Sequence, residues 1–350
     1  MKLTSQYFIN CKNYPYIIAE IGVNHEGSLE TAKKLIQEAK EGGAHAAKFQ
    51  TYKAGKIASK HSPAYWDTSK EPTSSQFKLF QKYDGFGEEE YKELAAYCRL
   101  MEIDFLSTPF DADAIDFLDP LMPLFKVASA DITNIPLLRH IASKKKPVIL
   151  STGASTLAEI DMAVNELTVS GCDDITLLHC ILNYPTQNNN AYLDMLEGIK
   201  RAFPTLKVGY SDHTLPDDKM LILTSAWLKG AAVIEKHFTN DKTLPGNDHY
   251  HAMDQSDLNI LNSNIKLLKD ILGTTQHKAP LDSESGARLH ARRSIVAVRD
   301  IAIGEVITED LITYKRPAHG ISPLHWDEVI GKKVVSRIEE DTPLQWSFIK

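Results

Sequence analysis

The chain has 350 residues, of which 43% are hydrophobic and 24% charged, enough for one large globular domain and a smaller one. Its 46 acidic against 39 basic residues give a net charge of -7, which argues against a general nucleic-acid surface and requires any anionic ligand to be met by a local cluster of cations. No apolar run is long enough to span a membrane and Met1–Gln6 lacks the apolar core of a secretory signal, so neither membrane insertion nor export is expected and the cytoplasm is the expected compartment.

Pro15 to Val23 reads as a buried strand, and Ser28 to Ala39 as a helix with Leu29, Ala32, Leu35, Ile36 and Ala39 on one face. The same strand-then-helix pattern recurs, with strands at His45 to Tyr52, Ile103 to Phe110, Leu124 to Ser129, Pro147 to Thr152, Ile175 to Asn183, Lys207 to His213 and Ala232 to Thr239. Helical patterns lie between them, such as Thr156 to Val169, where Thr156 and Glu159 have capping-box spacing, and Ala191 to Ala202. Leu258, Leu261, Ile265, Leu268 and Leu272 then step along a closing helix that ends at Gly273. Eight parallel strands, each followed by a helix, predict a TIM (β/α)8 barrel, because right-handed crossovers wind in one sense until the sheet closes. An open doubly wound sheet is the alternative, but no GxGxxG opens a helix.

One connection is abnormal. Residues 53 to 85, with Tyr65 and Trp66 among many Lys, Ser and Pro, exceed an ordinary βα loop, as lids and binding loops on a barrel's carboxyl face do. A surface excursion without a role is the plainer alternative. The barrel accounts for residues 1–273. Residues 274–289 are polar and turn-rich and read as a linker, and 290–350 as a small second domain. That domain has a strand at Arg293 to Val298, a turn and strand over Asp300 to Ile307, and short helical stretches near Glu309 and Trp326. Cys11, Cys98, Cys172 and Cys180 show no CxxC spacing and read as reduced thiols. Cys180 follows His179, but consecutive strand residues face opposite ways, so a buried small hydrophobe is expected rather than a nucleophile pair.

In a barrel of this kind the carboxyl ends of the strands gather at one mouth. They deliver Glu20; Lys48 and Gln50; Ser107 and Thr108; Lys126, then Ser129 and Asp131; Ser151 and Thr152; Asn183 and Tyr184; Ser211 and His213; and Glu235 and His237. Singly, each has a plain structural explanation. A Ser or Thr satisfies a turn, a Lys snorkels to solvent, and a His caps a turn or sits satisfied in the core. Jointly, two lysines and two carboxylates buried in one ring cost several kcal/mol unless they meet charges of their own or a ligand. Lys48, Lys126, Ser129 and Ser151 suit a phosphate and a carboxylate, and His213 with His237 suits a divalent metal.

Eight ordered motifs carry a resemblance to a known family: Glu20 to Gly27, Lys48-Phe49-Gln50, Ser107 to Phe110, Phe125 to Ser129, Ile149 to Gly153, Asn183 to Thr186, Ser211 to Thr214 and Glu235 to Phe238. Together they resemble the sialic acid synthase family, whose members make nine-carbon 2-keto acids from phosphoenolpyruvate and an N-acetylated amino sugar. The tail, with Lys315-Arg316-Pro317 and Gly331-Lys332-Lys333, is similar to the antifreeze-like (SAF) domain that follows the barrel there. The resemblance implies that Lys48, Thr108, Lys126, Ser129, Ser151, Asn183 and Ser211 hold phosphoenolpyruvate. His213 and His237 would hold manganese, with magnesium or cobalt as alternatives, and Gln50, Tyr184, Asp131 and Asp248 would face the sugar. Glu20 and Asp131 are the candidates for proton transfer. The family likeness also implies a domain-swapped homodimer in which this domain caps the partner's barrel. Since the mouth offers no arginine for the sugar's acetamido group, Arg316 of one chain is expected to reach the sugar bound to the other, a plain surface charge being the alternative.

Departures bear on the sugar. Asp131 stands where many relatives carry Glu, His290 where Phe is common, and Pro245 to His249 looks more like variants that make legionaminic acid. The acceptor is therefore expected to be N-acetylmannosamine or a 2,4-diacetamido-trideoxyhexose, the second favoured. Two rival functions stay open on the residues alone: a metal-dependent barrel hydrolase, and a non-catalytic carbohydrate-binding protein.

Overall fold

The apolar runs become eight parallel strands: β1 Tyr16–Gly22, β2 Ala46–Thr51, β3 Asp104–Pro109, β4 Phe125–Val127, β5 Val148–Ser151, β6 Ile175–Cys180, β7 Lys207–Asp212 and β8 Val233–His237. Nearly every residue in them is buried, as strands must be when side chains fill one face and helices cover the other. The computed structural model describes residues 14–66, 68–246 and 248–350, and the chain divides into two units, Met1–Leu272 and Gly273–Lys350. In the first, the hydrogen-bonded order is β3-β2-β1-β8-β7-β6-β5-β4, and β3 and β4 at its two ends lie against each other. This is the expected TIM barrel.

Helices follow the strands in turn: Leu29–Glu41, Glu88–Leu100, Ala112–Leu118, Ile135–Ser143, Leu157–Val169, Met195–Ala202, Leu221–Leu228 and Gln255–Leu272. Ser28 caps the first by accepting from the Thr31 amide at 3.2 Å, and Thr156 and Glu159 cap each other's backbone at the fifth. In the closing helix Leu258, Leu261 and Ile265 are buried, whereas Leu272 is exposed. No described helix is long and apolar enough to cross a membrane.

Element ends differ from the sequence reading where the chain must turn to build the mouth. The fourth strand stops at Val127, because Ser129–Asp131 coils into a 3-10 turn. The sixth stops at Cys180, which leaves Asn183 and Tyr184 in a loop. The helix expected from Ala191 begins at Met195, behind a 3-10 turn at Asn188–Asn190. The long excursion after β2 contains helices Ala54–Ile57 and Gln76–Tyr83, and Pro63 pairs with Ser75 across it.

Strand register decides which side chains meet. Glu20 stands opposite Lys48 on one side and His237 on the other, Gln50 opposite Thr108, and Ser211 opposite Glu235. The intervening residues Asp212 and Lys236 belong to the other strand face, where they form a buried ion pair at 2.6 Å that Tyr210 and Thr214 complete.

The second unit is built on β9 Ser294–Ala297, antiparallel to β10 Ile312–Lys315, over a core that includes Ile295, Ile301, Ile307, Val329 and Leu344. Short helical turns occupy Glu309–Leu311 and Trp326–Val329. The segment expected as a linker carries a 3-10 turn at Asp282–Glu284 and a helix at Ser285–His290. Cys98, Cys172 and Cys180 are free and buried, while Cys11 and Met1–Gln6 lie outside the described residues.

Candidate active site

Four ionisable side chains meet inside the mouth, all but closed to solvent. Lys48 pairs with Glu20 and stands 3.6 Å from Glu235, and Lys126 stands 3.5 Å from the same Glu235. Lys48 also donates to Thr108 Oγ1 at 3.1 Å, Ser211 Oγ donates to Glu235 at 2.9 Å, and Gln50 donates to Glu20 at 2.9 Å. Around them, Ser129 Oγ accepts from the Gly153 amide at 2.9 Å. A Cβ on Gly153 would come within 2.8 Å of that hydroxyl, so this close approach of β5's end to the Ser129 turn requires glycine.

The charges do not cancel evenly. Burial pushes the Glu20 carboxyl up to about 7; Lys48 opposes the rise and Glu235 adds to it. Burial also acts on Glu235, but Lys126 and Lys48 overcome it and hold that carboxyl at about 2. Burial lowers Lys126, against the pull of Glu235, whereas the two carboxylates keep Lys48 above its usual range despite burial. Several buried polar atoms have no hydrogen-bond partner: one oxygen each of Glu20 and Glu235, the Ser151 hydroxyl, Nδ1 of His237 and both ring nitrogens of His251. The Glu20 oxygen concerned touches Lys48, but at an angle that makes an ion pair without a hydrogen bond. A buried polar group costs about 1–3 kcal/mol when it is unpaired, so this concentration of such groups at the mouth marks a ligand site.

Beside this ring opens a cavity of about 460 Å³, within the range of small-molecule sites. Gln50, Asp131, Tyr184, His237 and Asp248 all line it, together with Ser129. The excursion after β2 supplies an aromatic and apolar wall of Ile57, Tyr65, Trp66, Leu79, Phe80 and Tyr83. Asp131 accepts from Asn134 at 3.2 Å, and burial raises its carboxyl. Asn24 binds the carbonyls of Phe238 and Asp248, at 3.0 and 3.4 Å, and so ties the Asp248 loop to the end of β8.

The rings of His213 and His237 lie 5.6 Å apart. His213 Nδ1 meets the Ile181 carbonyl at 2.7 Å; a carbonyl only accepts, so that nitrogen carries the proton and Nε2 keeps its lone pair for a metal. Burial depresses His237, against Asp248, which favours the neutral imidazole that a metal takes. The two rings therefore fit a shared ion, although among the described residues no three His, Cys, Asp or Glu groups stand ready to enclose one.

Of the residues expected from sequence, the mouth brings together Glu20, Lys48, Thr108, Lys126, Ser129, Ser151, Ser211, His213 and His237. Asn183 is exposed, in the loop after β6, with its carbonyl accepting from Thr186 at 3.0 Å. Arg316 belongs to the second unit, where it is exposed. Sequence reasoning put Glu235 at the mouth but gave it no role, and it missed His251 altogether. A signal existed in His249-Tyr250-His251, a pair of histidines two apart just beyond β8.

Comparison with known proteins agrees with this geometry. The NeuB family model matches residues 35–277 and the SAF domain model residues 292–350. The N,N'-diacetyllegionaminic acid synthase of Campylobacter jejuni is 40% identical over 93% of this chain and 97% of its own, and that of Legionella pneumophila 38% identical over 96% and 94%. The crystal structure of a sialic acid synthetase from Leptospira borgpetersenii, 31% identical, superposes with a TM-score of 0.68 over 79% of this chain and 90% of its own. With both domains matched in order and the barrel mouth assembled as described, the chain belongs to the NeuB family, that of the sialic, legionaminic and pseudaminic acid synthases, and carries a C-terminal SAF domain.

Proposed function

We propose that the protein condenses phosphoenolpyruvate with an open-chain N-acetylated amino sugar, giving a nine-carbon 2-keto acid and phosphate. The observation that carries this reading is the buried pair Lys48 and Lys126, gathered with the buried Ser129 and Ser151 at the carboxyl ends of the strands, beside a cavity of about 460 Å³ that Ser129 lines. Two cations and hydroxyls at the mouth suit a compact dianion, and the cavity beside them suits a sugar. The aromatic wall favours an acceptor with deoxy and N-acyl groups, so a 2,4-diacetamido-trideoxyhexose fits better than N-acetylmannosamine.

Lys48, Thr108, Lys126, Ser129, Ser151, Asn183 and Ser211 would grip the phosphate and carboxylate, and Gln50, Tyr184, Asp131 and Asp248 would orient the sugar. Fixing both reactants at attack distance supplies a large part of the rate gain. The enol carbon attacks the aldehyde, water adds to the oxocarbenium-like carbon 2, and phosphate leaves by carbon-oxygen cleavage. A divalent ion held by His213 and His237, manganese in this reading, would act as a Lewis acid toward the aldehyde oxygen. Glu20, with a carboxyl raised to about 7, is poised to hand a proton to the developing alkoxide. In a homodimer with exchanged SAF domains, Arg316 of one subunit would bind the acetamido group of the sugar held by its partner. The reaction belongs in the cytoplasm, where phosphoenolpyruvate is made.

The test is phosphate release from chelated, manganese-repleted protein, with phosphoenolpyruvate and either acceptor. Release is expected only when both substrates are present, with kcat/KM favouring the diacetamido sugar; release from phosphoenolpyruvate alone, or none with either sugar, overturns the proposal. A tenfold preference for N-acetylmannosamine, about 1.4 kcal/mol, would reverse the sugar assignment alone.

A further inference from the structure

After β8 the chain loops outward and returns. The Met253 amide binds the His237 carbonyl at 2.8 Å, and the Thr239 amide binds the Met253 carbonyl at 2.9 Å, so the returning segment runs alongside the strand's end. A turn closed by the Ala252 amide on the His249 carbonyl, at 3.1 Å, sets the residue before it facing the mouth. That residue is His251, fully excluded from solvent. Its ring centroid is 4.8 Å from that of His237 and 6.4 Å from that of His213, and both its nitrogens are unsatisfied.

An imidazole buried in this way has lost its water hydrogen bonds and gained none, a cost that persists unless a ligand pays it back. Its neighbours narrow the choice of ligand. Asp248 stands 3.7 Å from His251 Nε2 and 3.8 Å from His237 Nδ1, both too long for a hydrogen bond and both of a length that one atom held between them would span. Ring nitrogens bind first-row ions at about 2.0–2.1 Å, which puts the centroids of two imidazoles on one ion roughly 5 Å apart. The separations of 4.8 and 5.6 Å meet that requirement. The third, at 6.4 Å, is wider by about an ångström, in keeping with the absence of a ready three-group cluster, and a side-chain rotation can close it.

We propose that His251 is a third imidazole ligand of the divalent metal centre, joining His213 and His237. The proposal rests on the metal reading given above and extends it: a three-nitrogen site selects manganese, cobalt or zinc over magnesium, whose preference is for oxygen.

The experiment uses full-length protein, stripped with chelator and titrated with Mn(II). Affinity is read by calorimetry, and the number of directly bound nitrogens by pulsed electron paramagnetic resonance. Native protein is expected to show three imidazole nitrogens. His251→Phe should show two and bind Mn(II) at least tenfold more weakly, while the metal-free variant melts no lower than native, because an unsatisfied buried group has been removed. His251→Gln carries the same comparison if the Phe variant fails to fold. Native protein that binds Mn(II) through only two nitrogens, with affinity unchanged in the variants, overturns the third ligand and leaves the two-histidine centre standing. Native protein that binds no divalent ion overturns both.

Discussion

Glu235→Gln isolates the charge that holds the mouth together. The side chain keeps its shape and its contact with Ser211, but Lys126 loses its counterion at 3.5 Å, and Lys48, 3.6 Å away, keeps Glu20 alone. At an effective dielectric near 20, each contact is worth about 5 kcal/mol of attraction, most of it offset by the cost of burying the charges. The residual can be read from the carboxyl itself. It falls from 4.5 to about 2, which at about 1.4 kcal/mol per pH unit is roughly 3 kcal/mol of stability. Its sign is that of a depressed acid: the contribution is complete above about 4.5 and is lost as the pH falls toward 2. Thermal melting at pH 7 should therefore show the variant barrel unfolding about 6–12 °C below native, with the gap shrinking as the solution is acidified. Inorganic phosphate should then rescue the variant, binding about tenfold more tightly than to native, because the two lysines no longer share the Glu235 carboxylate. A variant that melts within a degree or two of native at pH 7, with unchanged phosphate affinity, would refute the charge balance argued here.

Glu20 gives the opposite slope. Its carboxyl is raised to about 7, so native stability should fall as pH rises from about 4.5 to 7, and Glu20→Gln should flatten that dependence in pH-resolved denaturation. Phosphoenolpyruvate labelled with heavy oxygen at the bridging position should yield labelled phosphate and an unlabelled keto acid; label kept in the sugar product would mean attack at phosphorus. Mixing inactive Arg316→Ala chains with inactive His237→Ala chains should restore activity, since a mixed dimer with exchanged domains keeps one site with both residues intact. Verified mixed dimers that stay inactive would end the exchanged-domain model.

Much of the mouth was legible because strand geometry is simple. Period two put Lys48 and Gln50 on one face, and the Ser211, His213 pair opposite the Glu235, His237 pair, once the strands were known to be parallel and adjacent. What escaped was whatever depends on the path between strands. Asn183 was read as a strand end, but β6 stops three residues earlier, at Cys180. The excursion after β2 was recognisable by length, yet which of its aromatics face the cavity follows from the Ala54–Ile57 and Gln76–Tyr83 helices, whose placement the sequence does not encode locally. His251 was invisible for the same reason, since only the return of residues 251–253 along β8 carries it inward.

Of the nine buried side-chain atoms without a hydrogen bond among the described residues, six share one place, the others being on Ser75, Asp119 and Asn240. Those of Glu20, Ser151, Glu235, His237 and His251 belong to one end of the strands, while on the opposite strand face the equally buried Asp212 and Lys236 are paired with each other and completed by Tyr210 and Thr214. The same two strands thus carry a finished ion pair on one side and, on the other, a Glu235 carboxylate with one oxygen lacking a hydrogen bond. A fold able to complete the first could complete the second with one more hydroxyl, so the incompleteness is specific to the face that opens on the cavity. In the proposed function, an anion meeting Lys126 and Ser151 and an ion meeting the imidazoles would supply the missing partners, and the binding energy so gained would help hold the reactants together. The mouth should accordingly be the part of the barrel whose amide-exchange protection rises most on adding manganese and phosphoenolpyruvate, and the Asp212–Lys236 face the part that changes least.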